Sequence, residues 1–131
     1  MFLDASAIIA ILAAEDDAAS LTARLSQAAT VQTSALAIFE AAAGLARIAN
    51  ADPRDALALL DAFLAEVKAQ VVPIGRETAS VAVTAFARFG KGRHPAALTM
   101  GDCFAYACAR RLDTPLRCKG NELPRSDIEL G

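Results

Sequence analysis

The chain has no tryptophan, one tyrosine and one histidine, and aromatic residues make up only 5% of it. That scarcity argues against aromatic-rich sheets. With 55% of residues hydrophobic and much of that alanine, close-packed helices are expected. The single histidine, His94, lies in the loop-like Gly90-Lys91-Gly92-Arg93-His94-Pro95. One histidine and scattered cysteines do not make a zinc site. Cys103, Cys108 and Cys118 are odd in number and form no CxxC pair, which points to buried reduced thiols in a reducing compartment. No apolar run is long enough for a bilayer, and residues 1–12 lack the basic start and cleavage site of a signal peptide, so a cytoplasmic protein without membrane contact is expected. The net charge of −2 leaves no bulk footprint for nucleic acid, so a polyanion would need a local patch or metal ions. The 131 residues suit one domain over 1–131.

Punctuation along the chain is clear. Met1 to Leu3 reads as a short buried strand, followed by helical periodicity from Ser6 to Ala13 and a break at Glu15-Asp16-Asp17. Asp16 or Asp17 is expected to cap a helix carrying Leu21 and Leu25, and Val31-Gln32-Thr33 is β-prone. Thr33 or Ser34 can cap a long helix to about Ala49. Asp52-Pro53 restarts one carrying Leu57, Leu60 and Leu64 and ending near Ala69. Val71 to Ile74 reads as a strand that Pro73 confines to its end or to an edge. Helices are expected from Arg76 to Phe89 and from Thr99-x-x-Asp102 to Arg111, then strands at Leu116–Cys118 and Asp127–Leu130. Strands alternating with helices imply a mostly parallel sheet covered by helices, with sites at the carboxyl ends of strands.

Three carboxylates sit in unusually apolar surroundings. Asp4 interrupts Phe2-Leu3-Asp4-Ala5-Ser6-Ala7-Ile8-Ile9, Glu40 lies in Ala37-Ile38-Phe39-Glu40-Ala41-Ala42, and Asp102 lies in Met100-Gly101-Asp102-Cys103-Phe104. Acids are seldom buried unless paired or bound to a metal. Each has a plainer reading: Asp4 as a helix cap, Glu40 in an ion pair with Arg47, Asp102 in a capping box with Thr99. Three acids at equivalent topological positions need a shared cause, and mutual repulsion opposes clustering without a cation. Oxygen-only ligation favours Mg²⁺ or Mn²⁺. A fourth ligand is expected after the last clear strand, from Asn121, Glu122 or Asp127. Basic residues near the site, including Arg93 and Lys119, are candidates for phosphate contact.

These segments resemble the PIN-domain toxins of VapC type: Phe2-Leu3-Asp4-Ala5-Ser6-Ala7, Ser34-Ala35-Leu36-Ala37-Ile38-Phe39-Glu40, Gly101-Asp102-Cys103-Phe104-Ala105-Tyr106-Ala107, and the tail Pro115-Leu116-Arg117-Cys118-Lys119-Gly120-Asn121-Glu122-Leu123. The likeness covers essentially the whole chain, and the Gly-Asp-Cys-Phe-Ala-Tyr-Ala block is its most specific part. It implies a three-layer α/β/α PIN-like fold with a short parallel sheet. It also implies a Mg²⁺- or Mn²⁺-dependent endoribonuclease acting on RNA, a VapB-type antitoxin as partner, and a homodimer. The family acids map onto Asp4, Glu40 and Asp102. At the fourth position relatives commonly carry Gly-Asn-Asp-Phe or Gly-Asp-Asp-Phe, whereas this chain has Gly120-Asn121-Glu122-Leu123. Glu122, the fourth candidate catalytic residue, is one methylene longer than Asp. One metal or two, and which tail residue completes the site, stay open here. Other readings are a PIN nuclease of RNA processing, a PIN fold that binds RNA or a partner without cutting, and a phosphoacceptor module. The last needs an acidic pair near the first strand end, and here Glu15-Asp16-Asp17 follows a helix.

Overall fold

The computed structural model describes residues 1–131. In chain order the elements are β1 (Phe2–Leu3), α1 (Ala5–Leu12), α2 (Ala18–Gln27), β2 (Gln32–Ser34), α3 (Ala35–Ala49), α4 (Pro53–Glu66), β3 (Gln70–Val72), α5 (Arg76–Phe89), α6 (Met100–Arg111) and β4 (Leu116–Arg117). A single 3-10 turn follows at Leu123–Arg125.

Side-chain caps start four of the helices. Asp4 accepts from Ser6 N, Ser34 from Ala37 N at 3.1 Å, Asp52 from Arg54 N at 2.8 Å, and Thr99 forms a reciprocal capping box with Asp102. Each such cap is worth about 1 kcal/mol. Asp17 precedes α2 but makes no side-chain cap bond, so that helix start rests on packing of Leu21 and Leu25. Helix α4 ends at Glu66, short of Ala69, because Lys68 turns into the left-handed region (φ 52°) to enter β3. Its inner face is Ala56, Leu60 and Leu64, a strict four-residue spacing, and Leu57 is left 38% exposed at the rim.

The four strands lie in the order β3-β2-β1-β4 and every pairing is parallel. β3 is an edge strand, with Pro73 just beyond it. The expected last strand at 127–130 shrinks to one bridge between Leu130 and Leu116. Two faces follow from the period-two alternation of strands. Phe2 and Leu116 point into a core with α5 and α6, while Leu3 points into a second core with α1, α3 and α4. Three layers result, as expected. The Thr33 hydroxyl donates to Leu3 O at 2.9 Å and ties the ends of the two central strands together. Asp4 leaves the end of β1 and Ser34 the end of β2, so α1 and α3 start side by side at one sheet edge. No helix is long and apolar enough to cross a membrane.

Candidate active site

At that edge Asp4, Glu40 and Asp102 line one cavity of about 360 Å³, together with Ser6, Phe39 and Arg47. A larger cavity of about 550 Å³, between the end of α2 and β3, has Glu66 as its only acid, so the chemistry points to the smaller one.

Asp4 is only 5% exposed. Its Oδ2 accepts from Ser6 N at 3.1 Å and from the Ser6 hydroxyl at 2.5 Å. Burial pushes its pKa above the usual carboxylate range, the Ser6 bonds oppose that, and the charge of Asp102 adds to it. Asp102 sits in the first turn of α6, where Oδ2 accepts from Thr99 N and Thr99 Oγ1, both at 2.9 Å. The cap and the site are therefore one geometry rather than alternatives. Glu40 differs from both. It is half-buried on α3, no protein group hydrogen-bonds it, and its pKa is raised by burial and then by the charges of Asp4 and Asp102. The expected ion pair with Arg47 is not made, since Arg47 lies two turns further along α3. Gly101 explains where Glu40 rests: a Cβ there would fall 2.3 and 2.4 Å from the Glu40 carboxylate oxygens. Glycine at the start of α6 lets the Glu40 carboxylate lie against the helix backbone, in the cavity it shares with the other two acids.

No three acid, cysteine or histidine side chains converge to ligand distance around one point. Asp4 and Asp102 each turn one oxygen to donors at their own helix starts. The donor set nevertheless fits a hard divalent cation. It is all oxygen, two of its members are held above their usual pKa, and Glu40 has no protein partner at all.

The tail reaches this cluster through Ser6, a residue that sequence reasoning passed over as one more small side chain. Lys119 N donates to Ser6 Oγ at 2.9 Å, and Ser6 Oγ donates on to Asp4. A hydroxyl two residues beyond a capping Asp was the available signal. The expected phosphate contact at Lys119 meets a competing arrangement, because its ammonium pairs with Glu15 and with Asp17. Arg93 stacks over the Phe86 ring, 5.6 Å from its centroid, and does not line the cavity. Asn121 and Glu122 do not line it either. Glu122 folds back so that its Oε2 accepts from Asn121 N at 3.0 Å. Its charge still reaches the neighbourhood, since the half-buried Cys118 thiol is pushed up to about 12 by burial first and then by Asp4, with Asp102 and Glu122 contributing. Asp127 does not line the cavity and is engaged elsewhere. It accepts from Tyr106 Oη at 2.7 Å and pairs with Arg88 at 3.2 Å and Arg110 at 3.6 Å.

The PIN domain model matches residues 1–125. A VapC ribonuclease of Rhizobium meliloti (strain 1021) is 40% identical over 139 residues, covering 97% of this chain and 98% of that protein. The chain belongs to the PIN-domain VapC ribonucleases. Ribonuclease VapC28 of Mycobacterium tuberculosis (strain ATCC 25618 / H37Rv) is 38% identical over 130 residues, covering 98% of this chain and 96% of that one. The crystal structure of Mycobacterium tuberculosis VapC20, described as a Sarcin-Ricin loop cleaving toxin, superposes with a TM-score of 0.75 over 97% of this chain and 95% of that one. At 15% identity that likeness speaks for the fold, and it agrees with the parallel four-stranded sheet. As a VapC ribonuclease the protein is a hydrolase acting on RNA.

Proposed function

We propose that Asp4, Glu40 and Asp102 hold Mg²⁺ or Mn²⁺ and that the protein, as one domain over 1–131, is an endoribonuclease that hydrolyses RNA phosphodiester bonds at this centre. The observation that carries the reading is the Glu40 carboxylate, set against Gly101 in a cavity shared with two other acids and with no protein group to satisfy it. A bound divalent ion supplies a water of lowered pKa and neutralises charge on the phosphate under attack. The chain's own residues do the rest. Ser6 fixes the rotamer of Asp4 with two hydrogen bonds, and the Thr99 box fixes Asp102. Glu40, which no protein group hydrogen-bonds, keeps its carboxylate free to face the ion and orient a water beside it. Asn121 and Glu122 stay outside the cavity, which favours a single ion over two. A VapB-type antitoxin partner, and pairing of two copies of the chain, follow from VapC membership as parts of the same proposal.

The test is cleavage of labelled RNA by the purified protein with Mg²⁺, with Mn²⁺ and with a chelator. The wild type should cut only with metal. Asp4→Asn and Asp102→Asn should reduce cleavage to background while circular dichroism shows a folded protein. Retained metal-dependent cutting by either variant would sink the assignment.

A further inference from the structure

Helix α3 carries more than Glu40 into the cavity. Its inward face is Ala37, Ala41, Ala42 and Leu45, all buried. Phe39, immediately before Glu40, is 71% exposed and lines the same cavity as the three acids. Phe39, Ala43 and Arg47 recur at four-residue spacing and so form one stripe along the helix, on the order of 12 Å from end to end. All three line the cavity. The middle of the stripe is low, because Ala43 is small and at Gly44 a Cβ would meet Ile9 Cδ1 of α1 at 2.6 Å. Arg47 enters no ion pair, although acids stand in the same cavity.

An aromatic face open to solvent beside an acid cluster, then a small-residue floor, then an unpaired guanidinium, matches what single-stranded nucleic acid needs. Bases stack on aromatic rings regardless of sequence, and guanidinium groups take backbone phosphates. We infer that the Phe39–Ala43–Arg47 stripe of α3 is a substrate track, in which Phe39 stacks the base adjoining the cleaved phosphodiester and Arg47 takes a neighbouring phosphate. The inference rests on the metal-site reading above and extends it to substrate positioning. It also explains how a chain of net negative charge keeps RNA beside three acids: the affinity is local.

Binding and cleavage of a fluorescein-labelled single-stranded RNA of about a dozen mixed-sequence nucleotides separate the two claims. Anisotropy is read with Ca²⁺ in place of Mg²⁺ to hold cleavage back. Phe39→Ala should weaken binding by about 5- to 100-fold with no change in salt dependence, and Phe39→Trp should stay within about twofold of wild type. Arg47→Gln should lower the slope of log Kd against log salt by about 0.7, one phosphate contact on a single strand. In cleavage with Mg²⁺, Phe39→Ala should raise KM and leave the rate at saturating RNA within about threefold. Phe39 is exposed, so the variant should melt as the wild type does. Wild-type affinity in Phe39→Ala, or failure of the wild type to bind the oligonucleotide, overturns the track. So does a fall in saturating rate at unchanged KM, which would make Phe39 a prop for Glu40. Unchanged RNA binding with weakened antitoxin binding assigns the stripe to a protein partner and overturns it as well. A wild type that cuts no RNA with either metal overturns the metal-site reading instead.

Discussion

Gly101→Ala separates activity from stability at a single methyl group. A Cβ at this position would sit 2.3 and 2.4 Å from the Glu40 oxygens, where ordinary contact begins at 3.4 Å. Its three nearest neighbours all belong to the Glu40 carboxylate, the far end of a flexible and half-exposed side chain. The cheapest response is for that carboxylate to retreat by about 1 Å or more, leaving α6 in place. Misplacing a reacting group by that much costs on the order of 100-fold in rate. The helix itself benefits, since alanine is better than glycine in a helix by at most about 1 kcal/mol. A gain of that size raises Tm by roughly 3–5 °C in a chain of this length. The variant should therefore melt at or above the wild-type temperature while Mn²⁺-dependent RNA cleavage falls about 10- to 100-fold. In a Glu40→Ala background the methyl has nothing to displace, so Gly101→Ala should add no further loss. Cleavage within about twofold of wild type in the single variant would refute the packing of Glu40 on Gly101 as a determinant of the site. A lowered Tm would show that α6, not Glu40, gives way.

The acid cluster also predicts a pH dependence of opposite sign to ordinary ion-paired carboxylates. Burial and neighbouring charge raise Asp4 and Glu40 in the native state, so between their unfolded and native pKa values the native protein holds more protons and stability falls as pH rises. Metal-free protein should thus lose Tm from just above the ordinary carboxylate pKa range upward through the raised values. Asp4→Asn should flatten that loss and abolish the rise in Tm on adding Mn²⁺; an unchanged profile in this variant would contradict the origin given. Burial raises Cys103 and Cys108 each to about 11, two units above an ordinary thiol, leaving about 100-fold less thiolate near neutrality. Iodoacetamide should label both far more slowly in native than in urea-unfolded protein, measured by peptide mass spectrometry.

Elements bounded by side-chain chemistry were legible in the sequence. Ser34, Asp52-Pro53 and Thr99-x-x-Asp102 mark helix starts through donors and acceptors a few residues apart, and they fall where the structure has them. The strands, only two or three residues long, stood out as short β-prone runs between these helices. What was not legible depends on contacts between distant segments. Leu57 and Ala56 compete for the inner face of α4, and only the neighbouring helix decides between them. Asp127 reads as a free acid until Arg88 and Arg110 close on it. Lys119 reads as a free cation until Glu15 and Asp17 do the same. The tail is the hardest case. Gly120 adopts φ 99°, and the turn it makes lets Glu122 fold back on Asn121, a conformation that residue order does not specify.

The three acids also differ in what holds them, and that difference orders the site. Asp4 and Asp102 stand at helix starts, where a backbone N–H and a neighbouring hydroxyl satisfy one oxygen of each. Their positions are set within a few residues of themselves, so they form as soon as α1 and α6 form. Glu40 has no local donor, and its place depends on α3 meeting α6 at a residue without a side chain. It is therefore the member of the cluster most sensitive to how the layers pack, and burial and its two acid neighbours disfavour its charge. Ser6 plays the corresponding part for the tail, since it joins Asp4 to the Lys119 backbone and so couples the fixed acids to the segment where the family's fourth position lies. Local chemistry thus fixes two acids, tertiary packing presents the third, and the Ser6 link holds the tail segment near them.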